Sequence, residues 1–153
     1  MTKLISFLLV VALLCTALSA FAEEKPTHVL VVYFSRTGEN YSVGVIEEGN
    51  TAKIAKIIAT QMGADLFEIV PEIPYPEDYD SVLPIATQEK NEDARPAYLG
   101  EIENWEQYDT VFIGYPIWWA GVPCIVYTFL ENYDFSGKPL PQETIQRHYA
   151  LVA

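Results

Sequence analysis

The pattern of hydrophobic and polar positions alternates between runs typical of buried strands and spacings typical of amphipathic helices. Continuous apolar runs, as expected of parallel strands covered on both faces, predict three strands over residues 28–34, 65–70 and 110–114. Apolar positions that recur every three or four residues predict three helices over residues 50–62, 81–93 and 122–130. The alternating order predicts an α/β fold with a right-handed parallel sheet.

Capping residues and prolines sharpen this prediction. Asn50 is a good N-cap and Gly63 a good C-cap for the first helix, which is therefore predicted to begin at Thr51. The proline-rich segment 71–80 has periodic apolar sequence on both sides, so we interpret it as a loop within one domain.

The first 22 residues have the pattern of an export signal. Lys3 gives a basic start, residues 4–18 are almost continuously apolar, and Ala20-Phe21-Ala22 is an A-x-A cleavage pattern. The apolar stretch is short for a membrane span, and acidic residues follow it directly. We therefore expect a cleaved signal peptide, a mature domain of residues 23–153, a periplasmic or secreted location and no stable membrane association. The alternative is a retained signal anchor.

Composition narrows the classes of function. The net charge is −12 at pH 7, and loss of Lys3 with the leader makes the mature chain one unit more negative. So acidic a protein is not expected to bind nucleic acid or anionic membranes, and it would favour basic partners. Cys124 is the one cysteine left after cleavage, so no internal disulfide is expected, and we interpret it as a buried residue and not a nucleophile. With two histidines in the chain, a zinc or iron–sulfur site is not expected.

The loop after the first predicted strand has the residues of an anion-binding turn. In a parallel α/β sheet, ligands bind beyond the carboxyl ends of the strands. Ser35, Thr37 and Gly38 offer hydroxyls and backbone N–H groups there, and the helix that begins at Thr51 adds unsatisfied N–H groups and a positive dipole end. A simple turn is the commoner role of such a loop. Neither a GxxxxGK[ST] P-loop nor a GxGxxG fingerprint is present, which argues against nucleoside triphosphates and dinucleotides.

A second unusual strand end lies at residues 114–121, which read GYPIWWAG. Large aromatic residues at a loop normally belong to the core or to an interface. The adjacent Trp118 and Trp119 cannot easily share one buried direction, so one of them is expected to face a flat ligand. A phosphate cradle and an aromatic platform at one sheet edge describe a ligand with one phosphate and one planar ring. Flavin mononucleotide (FMN) fits this description best.

Four segments resemble the flavodoxin-like proteins, in particular the short bacterial flavodoxin-type group, some of which are exported. They read YFSRTG, GNTAKIAKIIA, EIVPEIPYPEDY and YDTVFIGYPIWWAGVPCIVYTFLENYDFSGK, and the match spans residues 29–138. The resemblance implies a doubly wound, five-stranded parallel sheet in the order 2-1-3-4-5 and one bound FMN. It also implies a phosphate loop that is interrupted by an insertion over residues 39–49, and it places residues 116–120 along the isoalloxazine ring.

The predicted cofactor-binding residues belong to these two loops. They are Ser35, Arg36, Thr37, Gly38, Asn50, Thr51, Ala52, Pro116, Ile117, Trp118, Trp119 and Ala120. Arg36 either pairs with the phosphate or is a solvated surface charge, and Tyr41 of the insertion is a weaker candidate for covering the ring. If the insertion folds over the site, Glu39, Glu47 and Glu48 would disfavour the anionic reduced flavin and lower its potential. No catalytic acid or base is recognisable.

The resemblance ends at about Lys138. The family continues with a fourth strand, a Ser/Gly-rich flavin loop and a fifth strand, whereas residues 139–153 begin with the proline-containing PLPQE, which does not suit a central strand. We therefore expect an incomplete flavodoxin-like sheet, with strands 2-1-3 present and strands 4 and 5 missing or replaced.

Three functions are compatible with these patterns. The first is an FMN-binding protein that acts in electron transfer or as an FMN-dependent oxidoreductase, with a redox partner or small-molecule substrate that the sequence does not specify. The second is a truncated, non-catalytic remnant of such a domain. The third is an anion-binding module without flavin.

Overall fold

A computed structural model describes residues 28–136 and 138 as a layered α/β structure. In chain order, the elements are β1 (Val29–Tyr33), β2 (Gly38–Asn40), β3 (Gly44–Ile46), α1 (Asn50–Met62), β4 (Asp65–Glu68), β5 (Val70–Pro71), α2 (Tyr79–Glu92), β6 (Tyr98–Leu99), a 3₁₀ helix (Trp105–Gln107), β7 (Thr110–Gly114) and α3 (Cys124–Asn132). The predicted leader and the tail 139–153, on which strands 4 and 5 depend, lie outside the described residues. No helix within the described part of the chain combines the length and the apolar character that crossing a membrane requires.

The main sheet contains three parallel strands in the order β4-β1-β7. In the central strand β1, Val31 lies opposite Leu66 of β4 on one side and opposite Phe112 of β7 on the other. All five residues of β1 are buried, as a parallel strand covered on both faces requires. The order 2-1-3 and the α/β class predicted for this part of the chain are confirmed.

Helices cover both faces of the sheet. On one face, three buried alanines of α1, which are Ala52, Ala55 and Ala59, pack against Val31 and Tyr33. On the other face, Leu30 and Val32 pack with Phe129 of α3 in the larger core. Each large apolar side chain buried in this way stabilises the fold by roughly 1.5–3 kcal/mol relative to exposure. Cys124 belongs to the buried residues of α3, as predicted.

All three helix starts differ from the prediction. Helix α3 begins at Cys124, two residues after the predicted start at 122, because Pro123 is its N-cap. The N-cap of α1 is Gly49, so Asn50 is the first helical residue and not the cap. Helix α2 begins at Tyr79, two residues before the predicted start at 81, because the Asp78 carboxylate accepts the Ser81 N–H at 2.8 Å and caps the helix there.

Several tyrosine hydroxyls are held in their neutral form by the fold. The Tyr33 hydroxyl donates to Glu68 Oε2 at 3.2 Å. Burial, and secondly the Glu68 carboxylate, raises the pKa of Tyr33 from its ordinary value of 10.0 to about 12. Burial likewise raises the pKa of Tyr75, Tyr98 and Tyr108.

These shifts predict a loss of stability in alkaline solution. An unfolded tyrosine releases its proton near pH 10, whereas folded Tyr33 keeps it until about pH 12. Between these values the unfolded state binds fewer protons, so the free energy of unfolding should fall as pH rises. Urea unfolding at increasing alkaline pH measures this slope, and Tyr33→Phe should make it shallower. A free energy of unfolding that does not change in this range would contradict the assignment.

Candidate functional site

The predicted insertion forms a β-hairpin that leaves the sheet edge and returns to it. Strands β2 and β3 pair antiparallel, with Gly38 opposite Ile46. Where the chain returns, Gly49 lies directly against the loop that follows β1. A Cβ atom at Gly49 would overlap the Ser35 hydroxyl and lie 2.6 Å from the Arg36 carbonyl oxygen, so glycine is required by space. The hairpin therefore separates the two parts of the phosphate cradle in the sequence, but the loop after β1 and the start of α1 remain in contact.

Ser35 caps α1 across this contact. Its Oγ accepts the Ala52 N–H at 3.1 Å, a bond that the N-cap Gly49 cannot make because it has no side chain. The N–H groups of Asn50 and Thr51 have no intrahelical acceptor, since they belong to the first turn. With the positive end of the helix dipole, they form a site suited to a phosphate group.

Replacing Ser35 by alanine should weaken this start of α1. Loss of a helix cap lowers the free energy of unfolding by about 1 kcal/mol. FMN affinity should fall as well, whereas riboflavin, which lacks the phosphate, should lose much less. Urea unfolding and the two ligand titrations measure this. Ser81→Ala, which keeps the backbone N–H that Asp78 caps, is the matched control and should change neither ligand's affinity.

Arg36 joins the hairpin to the proline-rich loop. Its Nη2 donates to the carbonyl oxygens of Pro76 and Glu77 at 2.7 Å each, and its Nη1 donates to the Glu39 carbonyl. Burial lowers the pKa of Arg36, and its Nε is buried without a partner among the described residues. The guanidinium is thus mainly a clamp between two loops and not a freely solvated charge. Its pairing with a phosphate stays a prediction.

The two tryptophans of the aromatic loop point to different environments, as the sequence predicted. Trp118 packs edge-on against Phe34 and Tyr75, with ring centroids 5.4 Å and 4.9 Å apart. Trp119 is 50% exposed. Trp118 is therefore partly buried and packs against the core, whereas Trp119 is exposed enough to contact a ligand.

Trp119 and Ala120 occupy a tight turn with an unusual backbone. Their φ angles are 48° and 58°, in the left-handed region that favours glycine. Two hydrogen bonds close the turn, from Trp118 N–H to the Gly121 carbonyl at 3.0 Å and from Gly121 N–H to the Trp118 carbonyl at 2.9 Å. A left-handed conformation costs roughly 1–2 kcal/mol per residue with a side chain. Strain of this kind concentrates at ligand sites, where it positions a side chain.

Both loops line a single cleft of about 540 Å³, a size typical of small-molecule sites. Most of the predicted binding residues line it: Ser35, Arg36, Asn50, Thr51, Pro116, Ile117, Trp118 and Trp119. The other four lie outside its lining, and of these Thr37 and Ala120 are exposed whereas Gly38 and Ala52 are buried. A Cβ atom at Gly114 would lie 3.1 Å from the Thr51 methyl group, so the end of β7 packs against the start of α1 and brings the loops together.

The wall that α2 adds to this cleft was not predicted, and of the hairpin residues that line the cleft only Tyr41 was a candidate. Helix α2 contributes Tyr79, Val82, Leu83 and Ala86, and the hairpin contributes Asn40, Tyr41, Ser42, Val43 and Ile46. Tyr41 and Tyr79 pack together with ring centroids 5.8 Å apart, which joins the hairpin to α2. The spacing of apolar residues predicted the apolar face of α2, but this spacing does not distinguish residues that pack in the core from residues that line a ligand site.

The three glutamates of the insertion do not line the cleft. Among the described residues that line the cleft there is no carboxylate, and Arg36 is the one cation. The Glu39 carboxylate accepts the Tyr79 N–H at 3.1 Å, and Glu48 pairs with Lys56 at 2.6 Å. Glu39, Glu47 and Glu48 are thus absent from the lining, although Glu39 bonds to Tyr79, which lines the cleft, and their effect on a reduced flavin stays a prediction.

The residues present fit a flavin cofactor. The free N–H groups at the start of α1 fit a phosphate, and the half-exposed Trp119 fits a planar ring. No cluster of three or more potential metal-ligating side chains occurs within the described residues. A parallel α/β domain with a phosphate cradle and an aromatic loop at the carboxyl edge of its sheet has the arrangement of a flavodoxin-like protein.

Comparisons with known proteins identify the family. The family model described as Flavodoxin matches residues 28–145, and the chain belongs to this family. The match reaches past Lys138, where the resemblance in the sequence ended.

Two crystal structures are similar to this chain. One is of a proposed flavoprotein from Bacteroides eggerthii, with 37% identity, 73% of this chain and 66% of that chain covered, and a TM-score of 0.61. The other is of a proposed flavoprotein from Bacteroides uniformis, with 33% identity, coverage of 74% and 69%, and a TM-score of 0.56. The chain thus spans about two thirds of the length of these relatives. No curated protein matches it.

Proposed function

We propose that the protein binds FMN in the cleft and acts in electron transfer or as an FMN-dependent oxidoreductase. The observation that carries this proposal is the placement of free helix N–H groups and a half-exposed tryptophan in one cleft. FMN, when bound, supplies the redox chemistry through its ring system. The protein contributes binding, orientation and the exclusion of water.

The lining residues divide these tasks. The N–H groups of Asn50 and Thr51 hold the phosphate, and Trp119 covers the ring. The apolar wall of α2, represented by Val82 and Leu83, keeps water from the ring. Because Arg36, the one cation among the described residues of the lining, is already bonded to carbonyl groups, a single phosphate is favoured over the diphosphate of FAD.

Titration of the purified protein with FMN, riboflavin and FAD tests the proposal. We expect FMN to bind most tightly, with quenched flavin fluorescence and a shifted visible absorption band. Competition with inorganic phosphate separates this role from that of an anion-binding module, which would prefer phosphate to riboflavin. A protein that takes up no flavin at micromolar concentration would overturn the proposal.

The charge distribution predicts an unusual dependence of FMN affinity on salt. The protein carries a net charge of −12, and Arg36, the one cation that lines the cleft in the described part of the chain, is bonded to carbonyl groups. Long-range repulsion should therefore oppose binding of the phosphate dianion, and salt should screen it over a distance of about 10 Å at 0.1 M. We expect FMN affinity to rise by a few fold between about 0.02 M and 0.3 M salt. The affinity of neutral riboflavin should stay constant. A decrease for FMN would indicate a phosphate held by a free cation.

We also propose an exported location and a redox partner or small-molecule substrate outside the cytoplasm. The basis is the signal-like pattern of residues 1–22 and its A-x-A motif. Mass spectrometry of the protein from fractionated cells should find a chain that begins at Glu23 outside the cytoplasm. An uncleaved chain in the soluble cytoplasmic fraction would contradict this location.

A further inference from the structure

Lys90, near the end of α2, contacts the aromatic turn from behind the cleft. Its Nζ donates to the carbonyl oxygen of Trp119 at 3.0 Å, across 29 positions of sequence. Lys90 takes part in none of the ion pairs within the described part of the chain. The Trp119 carbonyl is therefore its main polar contact there.

A second cavity lies beside this bond and separates the turn from α2. It has a volume of about 220 Å³, and Lys90, Trp118 and Trp119 are among its lining residues. Trp119 lines the main cleft as well, so it forms part of the partition between the two spaces. If the bond from Lys90 to the Trp119 carbonyl were absent, this cavity would leave the turn room to move away from the cleft.

The two tryptophans differ in how they are held. Trp118 packs on Tyr75, whose hydroxyl donates to both carboxylate oxygens of Glu89 at 2.9 Å and 3.0 Å. Trp119 has an exposed indole and a strained left-handed backbone, which by itself favours relaxation of the turn. Its carbonyl bond to Lys90 opposes that relaxation.

We propose that Lys90 is a positioning residue for the flavin ring, because it holds the Trp119 carbonyl and so keeps the indole at the wall of the cleft. This inference rests on the proposed function. It assigns Lys90 no contact with the flavin, so its effect is transmitted through Trp119. The phosphate cradle, which lies at the start of α1, is independent of it.

Replacing Lys90 with methionine tests this role when two ligands are compared. We expect Lys90→Met to weaken FMN and riboflavin to the same extent, by about threefold, because an effect that acts through Trp119 should stay below the roughly fivefold loss expected when its ring is removed. A purely electrostatic effect would weaken FMN but leave neutral riboflavin unchanged, and that result would overturn the proposal. Lys90→Arg, which keeps a cationic donor, should restore most of the riboflavin affinity. Lys53→Met, at an exposed lysine of α1, should leave the riboflavin affinity unchanged.

A measurement without flavin keeps this inference separate from the proposed function. Acrylamide quenching of tryptophan fluorescence should increase in Lys90→Met, and the increase should vanish when Trp119→Phe is added. The same quenching in wild type and in Lys90→Met would overturn the inference even if flavin binds. Increased quenching in a protein that binds no flavin would support the tether and reject the proposed function alone.

Discussion

Replacing Gly49 with alanine is expected to cause a large loss of FMN affinity. The added methyl group would overlap the Ser35 hydroxyl and lie 2.6 Å from the Arg36 carbonyl oxygen. Both neighbours are part of the cradle, so relief of the overlap must move the start of α1 away from the loop after β1. We expect the free energy of unfolding to fall by about 1–3 kcal/mol, as for other overpacked sites. FMN affinity should fall by about tenfold or more, the equivalent of at least about 1.4 kcal/mol.

Gly121→Ala is the matched control for this prediction. A Cβ atom at Gly121 would meet the Trp118 carbonyl oxygen at 3.8 Å, an ordinary contact. Its free energy of unfolding should therefore change by only about 0.5 kcal/mol. Urea unfolding of both variants, with FMN titrations, makes the comparison. Equal effects of the two substitutions would show that Gly49 is not held by close packing.

Alanine substitutions at the two adjacent tryptophans should separate stability from binding. Trp118 packs on Phe34 and Tyr75, so Trp118→Ala should lower the free energy of unfolding by about 2–4 kcal/mol. Trp119 is half exposed, so Trp119→Ala should change stability by only about 0.5 kcal/mol. The same variant should bind riboflavin about fivefold more weakly, because an aromatic contact contributes about 1 kcal/mol.

The measurements are urea unfolding and riboflavin fluorescence titration, carried out on both variants. Riboflavin is the better ligand here because it reports on the ring and not on the phosphate. Comparable destabilisation by the two substitutions would contradict the division between a core indole and a ligand-facing indole. Normal riboflavin affinity in Trp119→Ala would show that Trp119 does not contact the ring.

The sequence was sufficient to predict the elements whose signal is local. The apolar run of β1 and the helical periods of α1 and α3 depend on spacings of two to four residues, and these elements formed in the predicted order. The two strand-end loops were found from their composition. Their meeting in one cleft followed from the rule that the carboxyl ends of parallel strands share an edge.

The features that the sequence did not predict depend on contacts between distant residues. Asn50 is a residue type favoured at an N-cap, but the helix is capped instead by Ser35, which lies 17 positions before the Ala52 N–H that it accepts. Arg36 bonds to carbonyl groups about 40 positions away. Every residue has a backbone carbonyl, so the sequence does not indicate which of them accepts such a bond. For the same reason, the bond from Lys90 to Trp119 has no local sequence signal.

The closed base of the hairpin has a consequence for the evolution of the domain. At one end, Gly38 approaches the Glu77 carbonyl so closely that a Cβ atom would lie 2.6 Å from it, and at the other end Gly49 abuts Ser35. Since both ends are pinned, the segment between them can lengthen or change composition at little thermodynamic expense, about 0.6 kcal/mol for each doubling of a flexible loop. Descendants of this chain could therefore acquire new recognition elements in the hairpin while the loop after β1 and the start of α1 stay unchanged.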